Sequence, residues 1–335
     1  MDKYNSIVNE IKSASKIIIT AHKSPDGDSI GSSLGLYHFI KKIGKEVIIC
    51  HPDPAPDYLM WLDGVETILT MSNDNLEIEK LFNESDLIFC LDYNGTDRVG
   101  EGMQELLEKS SAKKIMIDHH LNPQDFAFIT LSETSVCSTS QLIIETIIQS
   151  GNEELLDEKI GTPLYLGILT DTGSFRFPSV QPRTHELLAK LLSSGVKHYI
   201  VHETLNDNNT LERLRLQGYA LSQKLELIKE YNVAFISLTE EELKKFDYKK
   251  GDTEGLVNIA LSIKGIKAAM FFSEKDGLIK ISFRSKGQDN PVNVLASEHF
   301  SGGGHANASG GVSELSMIET LEKIKKLIPT YFSHN

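Results

Sequence analysis

Short runs of consecutive apolar residues recur in the N-terminal third of the chain, and most end in His or Asp. KIIIT, EVIIC, DLIFCL and KIMI are followed by Ala21-His22, His51-Pro52, Asp92 and Asp118-His119-His120. Between the first two runs, SIGSSLGLYHFIKKIG carries apolar residues at helical spacing, and Gly44 is placed to end a helix. Continuous apolar strands that alternate with helices predict a parallel sheet with helices on both faces. Ligands bind such sheets at the carboxyl ends of the strands, where these polar residues lie.

The pattern changes twice further along the chain. From Thr139 to about Glu230 it is mostly helical, and LERLRLQGYALSQKLELIKEY predicts one long amphipathic connecting helix. From Tyr231 onward, NVAFISLT and KAAMFFSEKDGLIKISFRS alternate like strands, with EKDG as a hairpin turn. IETLEKIKKLI predicts a final helix. We therefore expect an α/β protein with an N-terminal domain over residues 1–190, a helical linker over 191–230 and a smaller α/β domain over 231–335.

Length and composition place the chain among ordinary globular proteins. Its 335 residues fit about two domains. No apolar run approaches the ~20 residues of a membrane span, and MDKYNSIVNEIKSASK has no apolar region typical of a secretory signal. The three cysteines, Cys50, Cys90 and Cys137, are widely separated, which favours a reducing compartment over disulfides or a zinc ribbon. These features predict a cytoplasmic protein without a membrane partner, and they leave the oligomeric state open, a homodimer included.

The net charge of −13 narrows the class of partner. It disfavours long nucleic acids held on a broad basic surface, including long duplexes. A small phosphate ligand stays compatible with it, because a local pocket with a metal ion can outweigh the overall charge.

Carboxylates and imidazoles collect at the predicted strand and turn ends. Without thiolates, such a set suits Mn²⁺ or Mg²⁺, and the many oxygens favour Mn²⁺ over zinc. There are too many ligands for one ion, so we expect two ions ~3.5–4 Å apart that share one carboxylate. The residues concerned are His22, Asp26, Asp28, Asp92, Asp118, His119, His120 and, in GILTDTGSF, Asp171.

Five segments together resemble a known family. HKSPDGDSIGS from His22, Leu91-Asp92, Asp118-His119-His120 and Thr170-Asp171-Thr172-Gly173 resemble the four signature motifs of the DHH phosphoesterase superfamily. FSGGGH from Phe300 resembles the GGGH motif of the DHH-associated substrate domain. The motifs span nearly the whole chain in the right order, and the nano-RNase/pAp-phosphatase group is the most similar.

The resemblance implies a role for each site residue. It assigns His22, Asp26 and Asp92 to one metal ion. It assigns Asp28, Asp92, His119 and Asp171 to the other, so that Asp92 bridges the two. It makes Asp118 the residue that orients a ligand imidazole, and it places His120 at the scissile phosphate. Catalysis would then depend on Asp92, Asp118 and His120, by in-line attack of water without a covalent enzyme intermediate.

The C-terminal domain is expected to choose the substrate in a cleft between the domains. Gly303 and Gly304 offer backbone N–H groups that can approach a phosphate closely. By resemblance, Arg284, Ser285 and His305 bind a terminal phosphate or base. Arg98 follows Asp92 closely, and either a phosphate contact or a surface salt bridge explains it equally well.

The expected activity is hydrolysis of short single-stranded oligoribonucleotides to mononucleotides, together with release of phosphate from 3′-phosphoadenosine 5′-phosphate. The same site would suit a phosphodiesterase for cyclic or linear dinucleotides, which is the alternative. A pyrophosphatase would lack the GGGH domain, and a processive nuclease would need a basic or aromatic channel. The full ligand set argues against a nucleotide-binding module without catalysis, because clustered acids need a cation to neutralise them.

Overall fold

The structure, a computed structural model, describes residues 3–207, 209–287 and 289–332. The chain separates into two units, Met1–Asp207 and Asn208–Asn335. The segment 191–230, expected to be a linker, is divided between them: the helix His198–Asn206 lies in the first unit and the helix Leu211–Gln223 in the second.

A six-stranded sheet forms the centre of the first unit. All its neighbouring strands are parallel, in the order β3-β2-β1-β4-β5-β6. The strands are β1 Lys16–Ala21, β2 Glu46–His51, β3 Leu69–Thr70, β4 Leu87–Leu91, β5 Lys113–Asp118 and β6 Ile129–Ser132. The apolar runs of the sequence thus form β1, β2, β4 and β5, which confirms the predicted parallel sheet.

Helices cover both faces of this sheet, as predicted. Alternate residues of a strand face opposite sides, so Ile17 and Ile19 of β1 pack into one core while Ile18 packs into the other. The helices α3 Met71–Glu84 and α4 Glu101–Lys109 lie on the Ile18 side. The opposite core contains residues of α1 Lys3–Ser13, α2 Gly27–Lys42, α5 Thr139–Gln149, α6 Glu158–Asp171, α7 Pro182–Ser193 and α8 His198–Asn206.

Two glycines allow α2 and α6 to pack at very short distance. A Cβ atom at Gly31 would lie 2.4 Å from the carbonyl oxygen of Pro163, and one at Gly35 would lie 2.4 Å from side-chain carbons of Leu164. Earlier in α2, a Cβ at Gly27 would lie 2.3 Å from Oγ1 of Thr170. The two helices therefore run antiparallel, and the start of α2 lies beside the end of α6.

The second unit is built on another six-stranded sheet, ordered β11-β12-β10-β9-β8-β7. Its pairs are antiparallel except for β8 with β9. Its strands are β7 Leu225–Ile228, β8 Val233–Leu238, β9 Ala268–Lys275, β10 Leu278–Ser285, β11 Gly303–His305 and β12 Ala308–Ser313. Its helices are α9 Leu211–Gln223, α10 Glu240–Lys245, α11 Leu256–Ser262, α12 Asn293–His299 and α13 Met317–Tyr331. This smaller α/β unit and its final helix confirm the predicted architecture.

The long connecting helix was predicted wrongly at its C-terminal end. Helix α9 ends at Gln223, and LELI forms the edge strand β7, with Leu225 opposite Ile236 of β8. The apolar spacing of LELI fits a helix, but the backbone hydrogen bonds and side-chain contacts offered by β8 outweigh that local preference.

The glycine-rich segment SGGGHANASGG is also more ordered than a loop. Gly303 pairs with Gly310 and Gly304 pairs with Ser309, so the segment forms a hairpin of β11 and β12. A Cβ at Gly304 would lie 2.6 Å from the carbonyl oxygen of Ala308. Glycine is therefore required there by the close approach of two backbones.

Among the described residues, no helix combines the length and apolar character needed to cross a bilayer. All three cysteines are free and buried.

Candidate metal centre

The strand order reverses between β1 and β4, and the candidate site lies at that point. Strands β2 and β3 extend the sheet to one side of β1, while β5 and β6 extend it to the other side of β4. Such a switch point opens a crevice at the carboxyl ends of the two central strands. His22 follows β1 and Asp92 follows β4, so the topology itself brings these two residues together.

His22 presents one defined nitrogen to the site. Its Nδ1 lies 2.8 Å from the carbonyl oxygen of Lys23, which can only accept a hydrogen bond, so Nδ1 carries the proton. Nε2 lies 3.4 Å from Oδ2 of Asp92 and 3.8 Å from Oδ1 of Asp26. This arrangement leaves Nε2 with the lone pair that a metal ligand needs.

The two acids of the turn have different environments. Asp26 caps α2, its Oδ1 accepting the N–H groups of Asp28 and Ser29, and its side chain is about half exposed. Asp28 lies in the first turn of α2 and is buried. Its Oδ2 accepts the N–H of Thr139 at 2.6 Å and its Oδ1 accepts that of Ser140 at 2.9 Å. The N-terminus of α5 therefore holds the Asp28 carboxylate from both oxygens, in the direction that a helix dipole favours.

Asp92 lies at the centre of the cluster. It is 2 % exposed and adopts a positive φ of 63°, a conformation that Asp and Asn tolerate better than most residues. Its Oδ1 accepts a hydrogen bond from Oγ1 of Thr139 at 2.9 Å and lies 3.6 Å from Nε2 of His119. Oδ2 faces His22, so the two oxygens of one carboxylate face two different imidazoles.

His119 and Asp171 complete the other side. Nε2 of His119 lies 3.3 Å from Oδ2 of Asp171 and 4.0 Å from Oδ2 of Asp28. Asp171 is the last residue of α6, and the close packing of α6 against α2 brings it to Asp28.

Asp118 holds His120. Its Oδ1 lies 2.7 Å from Nδ1 of His120, and its Oδ2 accepts the backbone N–H of the same residue at 3.1 Å. The resemblance implied that Asp118 orients the imidazole of a metal ligand, and His120 was not among the assigned ligands. Since the ends of the carboxylate both contact His120, the structure places this orienting hydrogen bond on the neighbouring histidine.

Three overlapping groups of side chains bring possible ligand atoms within 4.8 Å of one another. They are His22-Asp26-Asp92, Asp28-His119-Asp171 and Asp92-His119-His120. The first group has the three residues of one ligand set implied by the resemblance, and the second has three of the four residues of the other. The fourth, Asp92, belongs to the first group, and its Oδ1 lies 3.6 Å from Nε2 of His119 in the second.

The electrostatics of the cluster fit bound cations. Burial and the charges of Asp92 and Asp171 raise the pKa of Asp28 well above its ordinary value. Burial and the charges of Asp92 and Asp26 raise the pKa of Asp171 to about 8. Burial also opposes ionisation of Asp92, but its hydrogen bond with His22 and the nearby imidazoles hold its pKa below the usual range. Ionised carboxylates that lie this close repel one another, and a bound cation would offset that repulsion.

The predicted substrate residues of the second unit are neighbours in its sheet. Arg284 of β10 is opposite Ala308 of β12, and Ala308 is opposite His305 of β11. Ser285 is buried, and its Oγ accepts a hydrogen bond from Nδ2 of Asn307 in the turn between β11 and β12. Burial lowers the pKa of Arg284. The side chain of His305 lies outside the described part of the structure.

Arg98 lies beside the metal-binding turn. Its carbonyl oxygen accepts the N–H of Lys23 at 2.8 Å, and its side chain is exposed. Its positive charge opposes protonation of His120, whose pKa is nevertheless raised, chiefly by the hydrogen bond with Asp118. Among the described residues its guanidinium forms no ion pair within 4.0 Å.

Two family models match the chain, one in each part. Residues 16–168 match the DHH family, N-terminal domain, and residues 230–333 match the DHHA1 domain. The chain belongs to the DHH family. The DHH match covers β1 to α6, and the DHHA1 match begins in the second unit just before β8.

Relatives extend the similarity over nearly the whole chain. A crystal structure of an exopolyphosphatase-related protein from Bacteroides fragilis is 41% identical, with a TM-score of 0.95, and the match covers 98% of this chain and 96% of that one. The bifunctional oligoribonuclease and PAP phosphatase NrnA of Bacillus subtilis is 28% identical over 91% of both chains. The cyclic-di-AMP phosphodiesterase GdpP of the same organism is 27% identical over 96% of this chain, which spans 49% of that protein.

Sequence reasoning did not single out Thr139 and Ser140. They lie more than 110 residues from Asp28 along the chain, yet their N–H groups hold its carboxylate. The only local signal was Ser138-Thr139 at the start of a predicted helix, which is typical of any helix cap. That these two residues bind the carboxylate of Asp28 follows only from the way α5 packs against the end of the sheet.

Proposed function

We propose that this protein hydrolyses short oligoribonucleotides to mononucleotides and converts 3′-phosphoadenosine 5′-phosphate (PAP) to AMP and phosphate. The observation that carries the proposal is the buried cluster around Asp92, where overlapping His and Asp groups bring ligand atoms within 4.8 Å of one another. The name of the Bacillus subtilis relative, a bifunctional oligoribonuclease and PAP phosphatase, supports the choice of substrates. We take the protein to act in the cytoplasm, in keeping with its free, buried cysteines.

The residues fit two divalent cations, and Mn²⁺ is our choice because carboxylate oxygens predominate among the donors. His22, Asp26 and Asp92 would hold one ion, and Asp28, Asp92, His119 and Asp171 the other. When bound, such ions activate water for attack and neutralise charge on a phosphoryl group.

The side chains around the ions would position the substrate and donate protons to it. Asp118 fixes the ring of His120 and favours its protonated form, so His120 can donate a proton or hydrogen bond to a phosphoryl or leaving-group oxygen. The exposed Arg98 can bind a phosphate as a bidentate partner. In the second unit, Arg284, Ser285, Gly303, Gly304 and His305 would bind the end of the substrate.

A panel of substrates tests the proposal. Protein with Mn²⁺ is incubated with pApA, a short RNA, cyclic di-AMP and PAP, and the products are separated by ion-exchange chromatography. We expect AMP from pApA and PAP and mononucleotides from the short RNA, with slow or absent opening of cyclic di-AMP. The matched control is Asp92→Asn, because Asn tolerates the positive φ at this position whereas Ala would add backbone strain. Intact pApA and PAP after prolonged incubation would refute the proposal.

The second candidate is a phosphodiesterase for cyclic dinucleotides. It is favoured by the similarity to the cyclic-di-AMP phosphodiesterase GdpP, which matches 96% of this chain at 27% identity. Rapid opening of cyclic di-AMP with slow cleavage of pApA in the same panel would select it.

A further inference from the structure

The apolar run EVIIC ends at polar residues that the metal centre does not use. It forms β2, which neighbours β1 in the sheet and ends at His51. Because the two strands are parallel, the carboxyl end of β2 lies at the same edge of the sheet as His22. Asp53 follows two residues after β2, and none of the three groups of possible ligands contains it. The chemistry at the end of this strand therefore needs another explanation.

Asp53 forms a hydrogen bond with the metal-binding turn, residues 22–26. Its Oδ2 accepts the N–H of Ser24 at 2.8 Å. The N–H of the preceding residue, Lys23, donates to the carbonyl oxygen of Arg98 at 2.8 Å. Two separate segments, one after β2 and one after β4, thus bind consecutive N–H groups of the turn that carries His22.

The metal-binding turn has a strained backbone at Ser24. This residue has a φ of 57°, in the left-handed region that residues other than Gly, Asn and Asp adopt only at a cost in free energy. Such a conformation persists where the surroundings impose it, and it is found most often at functional sites. Ser24 is exposed, so burial of its own side chain does not impose it. The hydrogen bond that its N–H donates to Asp53 therefore stabilises the strained conformation.

The segment that carries Asp53 is itself fixed to the core. His51 is fully buried, and its Nε2 lies 3.0 Å from Oγ of Ser33 in α2. Pro52 is also buried, and Asp53 is half-buried. The Asp53 carboxylate thus projects from a well-packed segment, which allows it to hold an exposed residue in one conformation.

We propose that Asp53 is a positioning residue, which holds Ser24 at positive φ and thereby sets the placement of His22 relative to Asp26. Ser24 lies midway between these two residues in sequence, and Nε2 of His22 lies 3.8 Å from Oδ1 of Asp26. The inference rests on the metal centre of the proposed function and deepens it, because it predicts which ion depends on Asp53. His22 and Asp26 belong to one proposed ligand set, and the other set contains neither.

The test compares two variants of Asp53 with a matched control. Asp53→Ala removes the acceptor, whereas Asp53→Asn removes the charge and keeps an oxygen that can accept the same hydrogen bond. The control is Asp86→Ala at the amino end of β1, the opposite end of the strand that leads to His22. The Asp86 carboxylate accepts the N–H groups of Ser15 at 2.8 Å and Lys16 at 3.0 Å.

The readout is binding of Mn²⁺ to the full-length protein without substrate. Electron paramagnetic resonance of the free ion gives the number and affinity of bound equivalents per chain, and thermal unfolding reports the fold. We expect Asp53→Ala to bind one equivalent about 10-fold more weakly, the lower end of the range for residues that orient metal ligands, because water can partly replace a half-buried carboxylate. Asp53→Asn should stay within about threefold of the unchanged protein, because the hydrogen bond is retained.

The control should lose stability without loss of metal affinity. Asp86→Ala is expected to lower the melting temperature and to keep both equivalents within about twofold, since distant sites act independently.

A second substitution at Ser24 tests the mechanism itself. Glycine adopts positive φ about as readily as negative φ, so it relieves the strain and keeps the N–H. Ser24→Gly alone should bind both equivalents within about twofold of the unchanged protein, and Asp53→Ala/Ser24→Gly should return to within about threefold. A role of Asp53 in general stability would not produce this rescue.

Three results would overturn the proposal: unchanged Mn²⁺ binding in Asp53→Ala, equal weakening in Asp53→Asn and Asp53→Ala, or no rescue by Ser24→Gly. The second result would indicate that the charge of Asp53 attracts the ion and that its hydrogen bond is not needed. Failure of the unchanged protein to hydrolyse pApA and PAP would instead count against the proposed substrates, and Mn²⁺ binding would still decide the role of Asp53.

Discussion

Thr139 is the residue whose replacement tests the preorganisation of the metal centre most sharply. Its N–H binds Asp28 at 2.6 Å and its Oγ1 donates to Asp92 at 2.9 Å, so one residue positions carboxylates of both proposed ion sites. We expect Thr139→Val to remove only the second contact, because Val keeps the shape and the backbone N–H.

The magnitude follows from burial. Thr139 is fully buried and Asp92 is 2 % exposed, so water cannot easily replace the lost donor. A hydrogen bond to a charged group contributes about 1.5–3 kcal/mol. Because that energy fixes the orientation of a bridging ligand, we expect a loss of about 10- to 100-fold in Mn²⁺ affinity or activity, the range found for residues that orient metal ligands.

The assay is Mn²⁺ titration followed by electron paramagnetic resonance, combined with kcat and KM for pApA. Thr139→Ser keeps the hydroxyl and should retain affinity and kcat within a few-fold, whereas Thr139→Val should lower both. Thermal unfolding of the two variants shows whether the fold is intact. Wild-type Mn²⁺ affinity and kcat in folded Thr139→Val would refute the idea that this hydroxyl orients Asp92.

Two further predictions concern stability. Gly31→Ala should destabilise the first unit by about 1–3 kcal/mol, because its Cβ would lie 2.4 Å from a backbone oxygen of α6. The control Gly218→Ala in α9, where a Cβ meets nothing within 4 Å, should stabilise by up to about 1 kcal/mol; urea denaturation measures both, and a harmless Gly31→Ala would contradict the packing argument. Burial opposes ionisation of Glu242, but Lys224, the N–H of Thr239 and the hydroxyl of Tyr219 lower its pKa to about 2. The stabilisation by Glu242 should thus be complete above its unfolded pKa near 4.5 and disappear as the pH falls towards 2. The melting temperature of Glu242→Gln, measured against wild type from pH 7 to pH 2, should approach the wild-type value at the acid end, and a constant difference would exclude this contribution.

The sequence predicted the central sheet and most of the candidate site because both depend on local patterns. The apolar runs that form β1, β4 and β5 are followed at once by His22, Asp92 and Asp118-His119, so finding the strands also finds the residues at their ends. Neighbouring parallel strands have their carboxyl ends at the same edge of the sheet. The His and Asp residues that follow separate apolar runs in the sequence are therefore expected to lie together in the structure.

The features that the sequence did not predict depend on contacts between segments that are distant along the chain. The bonds from α5 to Asp28 span more than 110 residues, and Thr139 at the start of a helix is indistinguishable from an ordinary cap in sequence. The strand Leu225–Ile228 forms because β8 offers an edge to pair with, which its own four residues do not reveal. Likewise, the choice of His120 as the partner of Asp118 depends on backbone geometry after β5 and not on residue type.

The central claim is that two cations around Asp92 support hydrolysis of short RNA. Its most direct test is the initial rate of AMP release from pApA by metal-free protein to which Mn²⁺ is added in increments at protein concentrations far above the dissociation constants. The account predicts that the rate rises until about two equivalents of Mn²⁺ per chain are bound, in line with the two-metal mechanism. Full activity at one equivalent, or no AMP release at any Mn²⁺ concentration, would contradict it.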